Sequence, residues 1–281
     1  VFYSEEKMAH EAKDKVFLIT GGASGLGALM TKTFLEEGAK QIAILDVAKD
    51  AGESLENELN TKYGKNKIRF IRCDVTNEEQ LFDAFDSIVK ENGHLDVVIN
   101  NAGIMNDGKH IYKKSIDLNV TALITSTLKA LEIMGIDNGG KGGTVINISS
   151  IAGLCQSPIL PIYFATKSAV LQFSNCIGHT FHFQRTGVRV LTICFSATDT
   201  PLIDQNNYKG FDDATTKFAI ALMSKTPVQK PESAIRGVLE AFKNGESGST
   251  WVAVNDQEPV NISSDVKEAY SILAKEFTPK P

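Results

Sequence analysis

The chain has 281 residues, of which 42% are hydrophobic and 22% charged, and its formal net charge is −5. That balance excludes a disordered or fibrous chain, and the length allows a deep pocket, in one large domain or two small ones, without disulfides. Mild acidity with scattered Lys and Arg gives no electrostatic footprint for nucleic acid or an anionic membrane surface.

Residues 1–14 read as a tail too polar for a signal peptide. No apolar run approaches the roughly 18 residues a bilayer span requires, so a cytoplasmic protein without a membrane span is expected. The first strand candidate, residues 15–20, runs into Thr20-Gly21-Gly22-Ala23-Ser24-Gly25-Leu26-Gly27 and then a helical pattern over 26–38. Glycines at 21, 25 and 27 let a backbone turn tightly and approach a pyrophosphate, which the N–H groups of a helix start around Ser24, Gly25 and Leu26 would hold. A tight βα turn without a ligand is the alternative. The second strand candidate, 41–46, ends on Asp46, about 20 residues past the last glycine, where an acid accepts hydrogen bonds from an adenosine ribose. Its carboxylate would repel a 2′-phosphate, and neither Gly22 nor Val47 supplies a compensating cation. The expected cofactor is therefore NAD rather than NADP; the bland reading is a solvated strand-end Asp.

Apolar strand runs at 67–72, 95–99, 143–149, 188–194 and 250–254 then alternate with helical patterns over 50–62, 78–91, 113–134, 162–185 and 231–244. Repeated strand-helix units without a dividing linker predict one α/β domain over 15–255, a doubly wound parallel sheet with helices on both faces. The irregular stretch 197–227 follows the sixth strand and reads as a lid over the ligand crevice, and 256–281 as a carboxyl-terminal tail. Polar residues gather at three strand ends: Cys73-Asp74-Val75, Asn100-Asn101-Ala102-Gly103 and Asn147-Ile148-Ser149-Ser150. Carboxyl ends of parallel strands are where such a sheet binds ligands, so these clusters suggest one crevice. On the following helix Tyr163 and Lys167 share a face at i, i+4, where the ammonium can lower the phenol pKa and let it exchange a proton near neutral pH. A surface pair is the alternative; the upstream Ser150 and the glycine turn weigh against it.

In this order and spacing the glycine turn, Asp46, Ser150 and Tyr163-Phe164-Ala165-Thr166-Lys167 resemble the short-chain dehydrogenase/reductase family in its non-extended form, from about residue 15 to 254. The stretches Gly153-Leu154-Cys155 and 188–192 look most like its 15-hydroxyprostaglandin dehydrogenase and insect alcohol dehydrogenase branch. The resemblance implies a single-domain Rossmann-like sheet of about seven strands that binds NAD(P), and a catalytic set of Ser150, Tyr163, Lys167 and Asn119. It also implies that Asp74 and Val75 flank the adenine, that Asn101, Ala102 and Gly103 line the cofactor floor, and that Thr200 contacts the nicotinamide carboxamide. Helices near 113–134 and 162–185 pair across subunits in the family, which implies a homodimer or homotetramer.

Two departures bear on specificity. Phe195-Ser196 stand where the family usually has Pro-Gly, which must alter the loop beneath the nicotinamide. Leu160 replaces a glutamine of the prostaglandin dehydrogenases, and with Met105, Leu154 and Ile159 it suggests an apolar substrate pocket, core packing being the alternative. His179 and His182 lack the partners of a metal set, so no metal is expected. Cys73, Cys155, Cys176 and Cys194 read as reduced, mostly buried thiols. The expected function is NAD-dependent oxidation of an apolar secondary or primary alcohol, or the reverse. In it Tyr163 takes the proton, Ser150 orients the substrate oxygen, Lys167 assists the phenol and ribose, and Asn119 positions a relay water. An extended-branch epimerase fits the glycine spacing and short C-terminus less well. A catalytically inactive NAD-binding scaffold or storage protein, motivated by Phe195-Ser196, is the other alternative.

Overall fold

The computed structural model describes residues 9–275; the rest of the expected tails, 1–8 and 276–281, lies outside the described residues. β1 (Val16–Thr20) leads into α1 (Gly25–Glu36), followed by β2 (Gln41–Asp46), α2 (Lys49–Tyr63), β3 (Ile68–Arg72), α3 (Glu78–Asn92) and β4 (Val97–Asn100). Then come α4 (Tyr112–Ile116), a π-helical segment (Asp117–Ala122), α5 (Leu123–Met134), β5 (Gly143–Ser150), α6 (Pro161–Ile177), α7 (Thr180–Thr186) and β6 (Val188–Phe195). The chain continues through α8 (Asp213–Met223), α9 (Pro231–Asn244), β7 (Thr250–Ala253), β8 (Val260–Asn261) and α10 (Ser263–Ala274).

The strands form one sheet in the order β3-β2-β1-β4-β5-β6-β7-β8, with seven parallel strands and an antiparallel β8 at the edge. β1 pairs with both β2 and β4, so the winding reverses there and opens a crevice at the carboxyl ends of the strands. β1, β2, β4, β5 and β6 are buried on both faces, as near-continuous apolar runs require, whereas β3 is half-buried and β8 exposed. Phe17, Ile19, Ile42 and Ile44 pack with Met30 and Phe34 of α1, Leu55 and Leu59 of α2, and Ile235, Val238 and Phe242 of α9. The alternate residues Val16, Leu18, Ala43 and Leu45 pack with Leu81, Phe85 and Ile88 of α3 and Leu131 and Met134 of α5.

The doubly wound sheet is thus as expected, with an eighth strand added. β8 spans two residues, too few to give a period in the sequence, and it lies with α10 inside the stretch read as a tail. α8 lies inside the stretch read as an irregular lid; Asp212 caps it, accepting from the Thr215 N–H at 2.7 Å. The helical pattern 162–185 is divided at Gly178, and His179 Nδ1 accepts from the Phe181 N–H at 3.1 Å to start α7, which gives that histidine a capping role. Cys73 and Cys194 are buried, but Cys155 and Cys176 are exposed, so the thiols are free and only partly buried. Among the described residues no helix is long and apolar enough to cross a membrane.

At the opposite, amino end of the strands Arg189 is 5% exposed. Its guanidinium donates to Phe242 O (3.0 Å), Gly245 O (2.6 Å) and Thr144 Oγ1 (2.9 Å). The first two are carbonyls at the C-terminus of α9, where the helix dipole favours a cation. Burial still pushes this guanidinium down to about 10. Arg189→Met would leave the carbonyls and the hydroxyl buried without their donor. It is expected to lower unfolding stability by about 2–4 kcal/mol in urea titrations; a loss under about 0.5 kcal/mol would show the guanidinium to be dispensable.

Candidate active site

The glycine turn is braced from two sides. Asn101 Nδ2 donates to Thr20 O and Gly21 O, both at 3.1 Å, and Thr20 Oγ1 accepts from the N–H of Asn101 (3.0 Å) and of Ala102 (3.1 Å). Gly21 has φ +63, and a Cβ on Gly27 would lie 1.9 Å from Gly21 O, so α1 starts directly against the turn. Ser24, at the N-cap, makes no side-chain cap bond, which leaves first-turn N–H groups of α1 for an anionic acceptor. Asp46 accepts from the Ala23 N–H at 3.1 Å and the Ala48 N–H at 3.0 Å, joining the end of β2 to the turn while keeping lone pairs for a further donor. Asp74 accepts from the Thr76 hydroxyl (2.7 Å) and N–H (3.0 Å), which hold its carboxyl below the usual range. Gly21, Ser24, Gly25, Leu26, Asp46, Asp74, Val75, Asn101, Ala102, Gly103 and Thr200 all line one crevice of about 470 Å³. Its phosphate-sized turn, uncapped helix start and strand-end carboxylates fit a dinucleotide.

A second cavity of about 310 Å³ meets this crevice at Asn101, Gly103 and Thr200 and is lined by Ser150, Tyr163 and Lys167. Tyr163 and Lys167 are each 6% exposed on the inner face of α6. Lys167 Nζ lies 5.7 Å from the centre of the Tyr163 ring and donates to Ile148 O at 3.1 Å. Ser150 Oγ donates to Phe195 O at 3.2 Å and accepts from the Ala152 N–H at 3.1 Å. Burial pushes the Tyr163 phenol up to about 12, against the opposing pull of the Ser150 hydroxyl. Burial also pushes Lys167 down to about 8. The expected lowering of the phenol pKa by the ammonium is therefore absent in this state: the ammonium is turned to Ile148 O, and desolvation dominates.

Asn119 sits in the π-helical segment and is 1% exposed. Its Oδ1 accepts from the Ile104 N–H (2.9 Å), and its Nδ2 donates to Ile104 O (2.8 Å) and Thr166 Oγ1 (3.2 Å). The side chain thus ties the loop after β4 to α6. Such π turns recur at functional sites, and this one interrupts a helix the sequence pattern reads as continuous.

The apolar wall has three of its four expected members, Met105, Ile159 and Leu160. Leu154 is instead 36% exposed and outside the lining, because the short turn Ile151–Gly153 carries Ala152 and Cys155 to the cavity and leaves Leu154 beyond it. Ile203, Leu222 and Met223 complete the wall from the lid, a contribution hidden in the sequence because α8 there reads as loop. Phe195 also lines the cavity: without a proline to end it, β6 runs on to this residue, which pairs with Ser150 of β5. Ser196 keeps an ordinary negative φ, and its N–H donates to Ala253 O at 3.4 Å, so the replaced Pro-Gly leaves no backbone strain.

Sequence reasoning missed Asp107, which is 0% exposed and accepts from the N–H groups of Ile162 (2.7 Å) and Tyr163 (2.9 Å). No local signal marks it, because Asn106-Asp107-Gly108-Lys109 reads as an ordinary polar turn. A larger concavity of about 610 Å³ lies at the other end of the sheet around Arg189, whose guanidinium is already committed to protein oxygens.

The family model described as short chain dehydrogenase matches residues 15–209. The chain is 35% identical over 234 residues to 15-hydroxyprostaglandin dehydrogenase (NAD(+)) of Rattus norvegicus, covering 82% of this chain and 86% of that protein. It is 34% identical over 190 residues to the Homo sapiens protein of the same name, covering 68% of this chain and 70% of that protein. To alcohol dehydrogenase 1 of Ceratitis capitata it is 29% identical over 248 residues, 88% of this chain and 93% of that protein. The matched segment carries both the glycine turn and the Tyr163-Lys167 pair, so sequence likeness and crevice coincide, and the chain belongs to the short chain dehydrogenase family.

Proposed function

We propose that the protein is an NAD(H)-dependent oxidoreductase that interconverts a neutral, apolar primary or secondary alcohol and its carbonyl. The buried grouping of Ser150, Tyr163 and Lys167 where the dinucleotide-shaped crevice meets the apolar cavity carries this reading. The relatives named for NAD(+) and alcohol oxidation support it. Bound NAD would supply the hydride acceptor. The α1 start and glycine turn hold its phosphates, Asp46 its ribose, and Asp46 also disfavours a 2′-phosphate. Tyr163 Oη takes the alcohol proton, and Ser150 turns its hydroxyl proton from Phe195 O to the substrate oxygen. Lys167 keeps a positive charge beside the phenolate, and Asn119 and Asn101 fix the loop between the two cavities.

Titrating NADH by fluorescence and then screening alcohols for NADH formation tests the reading. NADH binding with no turnover across neutral alcohols would favour the alternative, a catalytically inactive NAD-binding scaffold.

The wall also bears on charge. Apart from Lys167 beside the phenol, none of the described residues lining the cavity is cationic, so an acid in the apolar part would lose its hydration without a partner. A neutral alcohol is expected to exceed a chain-length-matched hydroxy acid in kcat/KM by roughly 10²-fold, about 3 kcal/mol. Equal values for the pair would place the hydroxy acid's carboxylate outside this cavity and contradict the charge selection.

A further inference from the structure

α6 begins without a local cap. Leu160 at its N-cap offers no side-chain acceptor, and Pro161 at the first position has no N–H. The next two N–H groups, of Ile162 and Tyr163, both donate to the carboxylate of Asp107, which arrives from the loop after β4 and is fully buried. The same loop grips the lid. The Asp107 N–H donates to Lys209 O at 2.7 Å, and Asn106 Nδ2 donates to Asn207 O at 3.1 Å. Between those two carbonyls, Tyr208 is 3% exposed and packs into the cluster of Met105, Leu160 and Tyr163 that walls the apolar cavity. Three residues before Asp107 the loop is clamped by Asn119 at Ile104, and Asn119 also reaches α6 at Thr166.

We infer that Asp107 is a positioning residue: it caps the helix that carries Tyr163 and couples the placement of the phenol to the seating of the lid over the substrate cavity. The proposal rests on the reading of Tyr163 as the base. Both ends of the link are backbone groups, so lid and phenol move together when the loop moves. A carboxylate suits the site because it accepts from two N–H groups at once at the positive end of a helix. An asparagine in its place has one acceptor oxygen and leaves one helix N–H facing an amide NH2.

Asp107→Asn in the full chain tests this, read by NADH titration, by steady-state kinetics with a neutral alcohol, and by amide hydrogen exchange over residues 161–165 and 206–210. NADH affinity is expected to stay within about twofold, because the glycine turn is untouched. The kcat is expected to fall ~10-fold or more through misplacement of the base, with a higher KM for the alcohol. Exchange is expected to quicken in both segments. A kcat within twofold of wild type, or quickened exchange at 161–165 alone, would overturn the coupling. Should Asp107→Asn fail to fold, Asn106→Ala removes the lid bond to Asn207 O and a local bond from the Gly108 N–H while leaving the Asp107 carboxylate on the helix; quickened exchange at 161–165 as well as at 206–210 supports the link, and a change confined to the lid removes it. If Tyr163→Phe retains full turnover, the base reading fails on its own account, and the exchange data alone judge the coupling.

Discussion

Tyr163→Phe is expected to bind NADH as wild type does and to lose alcohol oxidation by a factor of ~10² or more, the usual loss on removing a general base. The substitution deletes one oxygen from a ring that is 6% exposed and packed among Met105, Leu160 and Tyr208, so the fold and the dinucleotide crevice should be undisturbed. The two pKa shifts also set the pH dependence. Oxidation needs the phenolate of a phenol held near 12 and the ammonium of a lysine held near 8. Below about 8, the phenolate fraction grows about tenfold per pH unit while Lys167 stays charged, so kcat/KM for oxidation rises with pH. Above it, each gain in phenolate is matched by a loss of ammonium, and the profile levels off. A Tyr163→Phe variant with undiminished turnover, or an oxidation rate that falls as pH rises from 6 to about 8, would contradict the assigned base.

The second large effect is expected from Gly27→Ala. The added methyl would lie 1.9 Å from Gly21 O and 2.9 Å from Asn101 Nδ2. The first of these is backbone, held on the other side by Asn101, so the helix start has to move rather than a flexible side chain. Moving α1 withdraws the N–H groups that the phosphates would use, and an interaction of this kind is worth several kcal/mol at a helix N-terminus lined by dipoles. NADH affinity is expected to fall by roughly 10²-fold in fluorescence titration, with the folded protein retained by circular dichroism. Affinity within about twofold of wild type would mean that the phosphates lie elsewhere.

Much of this was legible in the residues. β1 to β7 announce themselves as apolar runs because a parallel strand is buried on both faces, and the glycine turn is legible because the close approach of two backbones tolerates no side chain. Tyr163 and Lys167 are legible because helical spacing alone puts them on one face. What stayed hidden depends on contacts distant in sequence. The direction of the Lys167 ammonium is set by Ile148 O on β5, and the high phenol pKa by the burial that the lid cluster completes. Asn119 carries a side chain whose use is fixed by Ile104, and Asp107 caps a helix that starts far along the chain. The lid helix α8 was obscured by the Thr, Asp and Asn around it, residues that favour turns but here supply its cap. Leu154 was misplaced because its neighbours fold into a tight turn that reverses which side chains face inward.

The proposed reaction is direct hydride exchange at the junction of the two cavities. It is tested by incubating the protein with NAD and a neutral secondary alcohol deuterated at the carbinol carbon and examining the reduced cofactor by NMR. One deuterium on the nicotinamide ring per carbonyl formed, with a slower rate than for the protonated alcohol or an equal one if release limits turnover, is the expected result. Saturable NADH binding with no deuterium transferred from any neutral alcohol would contradict it.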